Sequence, residues 1–162
     1  MPYDVRQIAN FILEIAEREN LRVTNFSLNK IIYFLHGWYL AKYEESLVSA
    51  KIEAWEFGPV FREIYHQFKD FGNEAITRKA KAVDLSTGET VECRCELGED
   101  ESEFLEELSK KYLQMTFSTL FELSHECGGP WDQVWNHSSS SNPGMEISGD
   151  LIRDHFAAQM RH

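Results

Sequence analysis

Cysteine is scarce in this chain, and the three present, Cys93, Cys95 and Cys127, are an odd number that cannot all pair internally. A full disulfide framework is thereby excluded, and a reduced, cytoplasmic setting is expected. Cations are scarce as well: 16 Lys and Arg stand against 27 Asp and Glu, for a formal net charge of -11. Such a surface repels a phosphate backbone and disfavours affinity driven by counterion release. With only Arg78, Lys79 and Lys81 as a basic cluster, direct nucleic-acid binding is not expected, and a basic protein partner fits better. No apolar run reaches the roughly 18 residues of a spanning helix, and no basic n-region opens the chain, so no membrane association is expected. Also lacking are a repeat at solenoid spacing and a linker long enough to divide two domains.

What remains is enough apolar matter for one core: 43% of 162 residues are hydrophobic and 13% aromatic. Asp4 is a natural N-cap, and Val5, Ile8, Ala9, Ile12, Ile15 and Ala16 recur at three and four, which predicts an amphipathic first helix. Ser27 is read as the N-cap of a second helix running to about Tyr43, apolar on most of its circumference and so destined for the core. Ile52, Ala54 and Glu56 alternate around Trp55 in a short extended segment. A third helix is expected to start at Gly58-Pro59, to bury Val60, Phe61, Ile64, Tyr65 and Phe68, and to end before Gly72. Residues 80–85 and 90–97, joined by Ser86-Thr87-Gly88-Glu89, read as a β-hairpin. One long helix is expected from Phe104 to about His125, then a short helical turn over 131–135, a loop over 138–144, and a last helix capped by Ser148. The fold class is thus mainly α (α+β): a single-domain helical bundle with a small β-hairpin or sheet.

Chemistry-bearing residues are weighed against plain packing. Tyr33, Phe34, Trp38, Tyr39, Trp55 and Phe57 read as core or turn aromatics, with a partner-facing cluster as the alternative. Cys93-x-Cys95 and His125-x-Cys127 lack the paired spacing of structural zinc sites, so no metal is expected. Cys127 follows a helix C-terminus, whose dipole raises a thiol pKa and counts against nucleophilic chemistry. His36, on an almost wholly apolar helix, reads as a core histidine whose ring nitrogens bond nearby groups. An enzyme built around His36, His125, Glu53 and Cys127 ranks last, and no cofactor is implied. Seven carboxylates crowd residues 96–107, namely Glu96, Glu99, Asp100, Glu101, Glu103, Glu106 and Glu107. They suit a solvated helix start. Alternatively, Glu99, Asp100, Glu101, Glu103 and Glu107 would contact a partner's basic groove by mimicking phosphate charge.

The most specific word order lies in Asn29-Lys30-Ile31-Ile32-Tyr33, His36-Gly37-Trp38, Glu53-Ala54-Trp55, Gly58-Pro59-Val60 and Tyr65, followed by His125, Pro130-Trp131 and a final helix with Ile147, Ile152 and Phe156. In these positions the chain resembles the SocA-like antitoxins, or Panacea domain, a family that also includes GepA-like phage-associated proteins. The resemblance implies one domain over residues 1–162, with a variable β segment at about 75–98 and a flexible loop at about 137–146. It also implies a type II antitoxin that neutralises a cognate protein toxin encoded beside it. Alternatives are an adaptor delivering the bound toxin to an ATP-dependent protease, and a phage-borne inhibitor of a host factor. The matching residues read as structural: Gly58 and Pro59 set the entry of the third helix, and their loss unfolds rather than disarms.

Overall fold

The computed structural model describes residues 2–137 and 143–160. Asp4 caps the first helix, α1 (Val5–Arg18), in a capping box with Gln7, and the expected apolar stripe is buried. The second helix, α2 (Asn25–Tyr43), is capped by Thr24, whose Oγ1 accepts from the Ser27 N–H, so the helix begins before the expected Ser27 cap. It is buried nearly all round and packs against α1 and most of the later helices.

A hairpin of β1 (Glu53–Trp55) and β2 (Gly58–Val60) follows, paired antiparallel with Trp55 opposite Gly58. The extended segment around Trp55 is as expected. Gly58-Pro59 is not a helix start: both residues lie in β2, and α3 (Arg62–Phe68) begins only after Phe61. The Gly58 φ of +121° is outside helical space, so the glycine serves a tight two-residue turn at 56–57 instead of a helix entry. A single 3-10 turn, Lys69–Phe71, ends at Gly72 in a left-handed conformation.

The expected second hairpin is present as β3 (Lys81–Val83) and β4 (Thr90–Glu92), with Lys81 opposite Glu92. The amide of Asn10, on α1, holds its base: Nδ2 donates to the Ala80 and Cys93 carbonyls, and Oδ1 accepts from the Ala80 N–H. The single long helix expected next is two, α4 (Glu99–Leu113) and α5 (Phe117–Ser124). Thr116 breaks it by taking extended backbone and capping α5 through the Thr119 N–H. The short turn after Gly129 extends to a full helix, α6 (Pro130–His137). Of the serine-rich loop expected at 137–146, residues 138–142 lie outside the described residues. Its described end carries a 3-10 turn, Pro143–Met145, before α7 (Gly149–Met160), where Ser148 accepts from the Leu151 N–H as expected of a cap.

The core therefore wraps around α2. Helix α7 approaches it most intimately, with Phe156 edge-on to Tyr33, Phe34 and Trp38 at centroid distances of 5.7, 6.3 and 5.0 Å. Each such buried aromatic contributes on the order of 1.5–3 kcal/mol through area removed from water. Gly37 makes the approach possible: a Cβ there would lie 2.2 Å from the Phe156 ring. Gly37→Ala is accordingly expected to lower unfolding free energy by about 1–3 kcal/mol, the range for overpacking, despite alanine's better helix propensity. Urea denaturation measures this, and an unchanged or raised midpoint would refute the close-packing account.

Candidate functional site

The sequence motif converges on one place, the β1–β2 turn. Helix α2 carries Asn25, Asn29 and Lys30 into the core, where each polar group needs a partner. Asn25 Nδ2 donates to the Tyr65 carbonyl. Asn29 Nδ2 donates to the Asn25 carbonyl, and its Oδ1 accepts from the Phe61 N–H at 2.8 Å. Lys30, fully buried, donates through Nζ to the Phe57 carbonyl at 2.6 Å. Phe26, Phe117 and Phe121 surround the ammonium, with ring centroids 5.7, 5.0 and 5.8 Å from Nζ. No carboxylate neutralises it among the described residues, and burial pushes its pKa down to about 8.

Two residues nearly a hundred positions later complete the clamp. Trp131, on α6, donates its indole N–H to the Trp55 carbonyl at 2.7 Å. His125, the C-cap of α5, stacks on Phe121 at 3.7 Å and leans on Trp131 at 3.9 Å. Its Nδ1 lies 2.7 Å from the Phe121 carbonyl, which places the proton of the neutral ring there. Its Nε2 faces the Glu56 carbonyl at 3.4 Å, a contact that becomes a hydrogen bond once the ring is doubly protonated. Burial holds the His125 pKa below the usual value, with the two carbonyls opposing that effect and Lys30 adding to it. Three successive carbonyls, of Trp55, Glu56 and Phe57, thus face Trp131, His125 and Lys30. Gly58 leaves room for this: a Cβ there would meet Lys30 Cε at 3.1 Å and His125 Cε1 at 3.3 Å.

Other motif residues stand just outside the clamp. Glu53 accepts from the Trp55 indole at 2.9 Å and from Arg62 at 2.8 Å, which ties β1 to α3. The Tyr65 ring meets Trp55 and Phe26. Pro130 starts α6, and Trp38 donates to the Tyr112 hydroxyl at 2.7 Å. Tyr33 is buried edge-on to Phe34 and Phe156, and Pro59 is buried within β2.

His36 departs from the expectation of a bonded core histidine. It is buried, yet its Nδ1 has no partner among the described residues. It borders a cavity of about 360 Å³ that Ser46, Ser49 and Ile152 also line. Burial pushes its pKa down to about 4, so the ring is neutral at physiological pH. The cysteines are free; Cys93 and Cys95 are partly buried, which raises their pKa values, and Cys127 is exposed. Among the described residues no three His, Cys, Asp or Glu side chains gather as a metal site would require.

The acidic run is divided. Glu99, Asp100, Glu103 and Glu107 are exposed on α4. Glu101 is spent internally: it accepts from the Tyr39 hydroxyl at 2.6 Å, the Tyr3 hydroxyl at 3.3 Å and the Gly98 N–H at 3.3 Å. Sequence reasoning missed an apolar groove of about 720 Å³ beside the clamp, where Phe26, Phe57, Phe117 and Leu120 form the walls. Phe57 and Phe117 are about half exposed, at 49% and 48%. The signal was there in Thr116 and Phe117, but the apolar periodicity running through them hid the break that opens the groove.

Two pH profiles test these burials. Lys30 binds its proton less tightly folded than unfolded, so its contribution makes stability rise from about pH 8 toward 10. Above that, the tyrosines whose pKa values are raised oppose the rise. Lys30→Met should flatten this segment, measured as urea midpoint against pH; an unchanged slope would refute the buried-ammonium assignment. The His36 pKa is likewise depressed, so its stabilisation is lost as pH falls from about 6.5 to about 4. His36→Met should remove that part of the acid limb, and an identical limb in both proteins would contradict it.

Comparison with known proteins agrees with the resemblance read from the sequence. A family model described as "Antitoxin SocA-like, Panacea domain" matches residues 28–132, the stretch from the start of the α2 core to the Trp131 end of the clamp. Antitoxin SocA of Caulobacter vibrioides (strain NA1000 / CB15N) is 32% identical over 157 residues, covering 96% of this chain and 84% of that protein. No solved structure matches the chain. Among the described residues no helix is long and apolar enough to cross a membrane. On these grounds the chain belongs to the SocA-like antitoxin family built on the Panacea domain.

Proposed function

We propose that this chain is the antitoxin of a type II toxin–antitoxin pair and neutralises a cognate protein toxin, encoded beside it, by binding it directly. The observation that carries this reading is the extent of the likeness to an antitoxin, which runs over 157 residues instead of a local motif. The geometry is consistent with a scaffold that presents a surface. Asn29, Lys30, Glu53, His125 and Trp131 are engaged with backbone or neighbouring side chains around one turn. Large apolar side chains meanwhile remain open to a partner, including Phe57, Phe117, Leu123 and Trp135. The formal charge of -11 favours encounter with a basic protein and speeds it by steering.

The test is growth of cells expressing the neighbouring gene product with and without this chain, followed by co-purification of the two proteins. Rescue together with a stable complex is the expected result. Rescue without a complex would contradict direct binding, and a harmless neighbour that does not bind would remove the antitoxin reading. Reversing charge at Glu99, Asp100, Glu103 and Glu107 in the same assay examines the exposed face of α4. Glu101 is left intact there because its carboxylate holds two tyrosines.

A further inference from the structure

The apolar groove lies between the start of α2, the Phe57 turn and the junction of α4 with α5. Its volume of about 720 Å³ falls within the range of pockets that take several side chains or a small molecule. The charged side chain lining it is a cation, Arg22, in a chain that is acidic as a whole. Arg6, Arg18, Arg62, Arg78, Arg94 and Arg153 each pair with a carboxylate. Arg22, on the groove rim, makes neither ion pair nor hydrogen bond among the described residues. Behind the aromatic wall sits the Lys30 ammonium, against Phe26 and Phe117 and with no carboxylate partner among the described residues. One exposed and one buried cation, neither in an ion pair among the described residues, thus flank an apolar cleft. Low local polarity lengthens the reach of the buried Lys30 charge.

We propose that this groove seats an apolar segment of the toxin that carries at least one carboxylate, with the acid meeting Arg22 at the rim and apolar side chains filling the space between Phe26, Phe57 and Phe117. The assignment rests on the antitoxin reading and adds the face and the chemistry of the docked segment. It also separates two modes of contact. The exposed acids of α4 suit a basic surface on the partner, whereas the groove suits an acidic, apolar one. An amphipathic helix laid into the groove by anchors at i, i+3 or i+4, and i+7 is one common form of such recognition.

The probe is the purified product of the adjacent reading frame, titrated calorimetrically against the full chain. Phe117→Ser should weaken binding about tenfold or more, as expected for an anchor at an interface centre, and Arg22→Glu should do so by setting like charge against the toxin's carboxylate, while Arg22→Lys stays close to the parent. Arg22 is exposed and takes no part in the clamp, so thermal melting of its variants should be nearly unchanged, whereas Phe117→Ser also removes a ring from beside Lys30 and is read against the crosslink below. A photo-crosslinking residue at Phe117 should capture a toxin peptide containing Asp or Glu among apolar residues, a readout independent of any loss of fold. Wild-type binding with unaffected Arg22→Glu and Phe117→Ser variants would overturn the groove and leave the antitoxin reading standing. A crosslinked peptide lacking acidic residues would overturn the charge assignment. No complex with the wild-type chain would overturn both readings together.

Discussion

A buried ammonium that no carboxylate answers among the described residues is the constraint around which this fold is arranged. Lys30 cannot stay charged in the core without a dipole close by, and the nearest is the Phe57 carbonyl at 2.6 Å. That single bond requires the β1–β2 turn to lie over the N-terminal half of α2, and it requires Gly58, since a side chain there would crowd the lysine. Asn29 fixes the next stretch by accepting from Phe61, and Trp131 fixes the preceding one by donating to Trp55. The polar groups of the central helix therefore dictate where the hairpin sits, and the hairpin dictates where α5 and α6 dock. Removing one partner would leave the others buried and unpaired, which is costlier than the loss of one bond.

Much of the architecture is written locally. The Asp4 cap, the all-round apolar α2, the extended run at Trp55, the 81–92 hairpin and the Ser148 cap follow from period and capping chemistry alone. The misreadings share a cause, because two local rules competed at each. Pro59 fits a helix start, but its neighbour Gly58 takes a φ of +121° to close a hairpin, and the pairing with Trp55 prevails. The apolar periodicity of residues 104–123 reads as one helix, yet Thr116 captures the Thr119 N–H and turns the chain. At Ser27 the cap signal was real but three residues late, since Thr24 was equally able.

The candidate site was legible as a set of residues and illegible as a geometry. Asn29, Lys30, Trp55 and Gly58 stand out in the sequence, but nothing local places His125 and Trp131 against a turn 70 residues earlier. Only tertiary packing reveals that the orphan nitrogen of His36 and the internal carboxylate of Glu101 reverse what their surroundings in sequence imply. The groove is the extreme case: it exists because α4 and α5 are separate, so a sequence reading that fuses them has no place for it.

The β3–β4 hairpin hangs from the body largely by the three hydrogen bonds of Asn10, with Gln7 donating to the Arg94 carbonyl and Gln67 accepting from the Lys81 N–H. Its own side chains are mostly in water, and Leu85 at its tip is 97% exposed. Every one of those five bonds is to the hairpin's backbone, so the anchor is blind to what the hairpin's side chains are. The segment is in effect a cassette: its exposed surface and charge can change while Asn10 holds its base in place, and the core does not register the change.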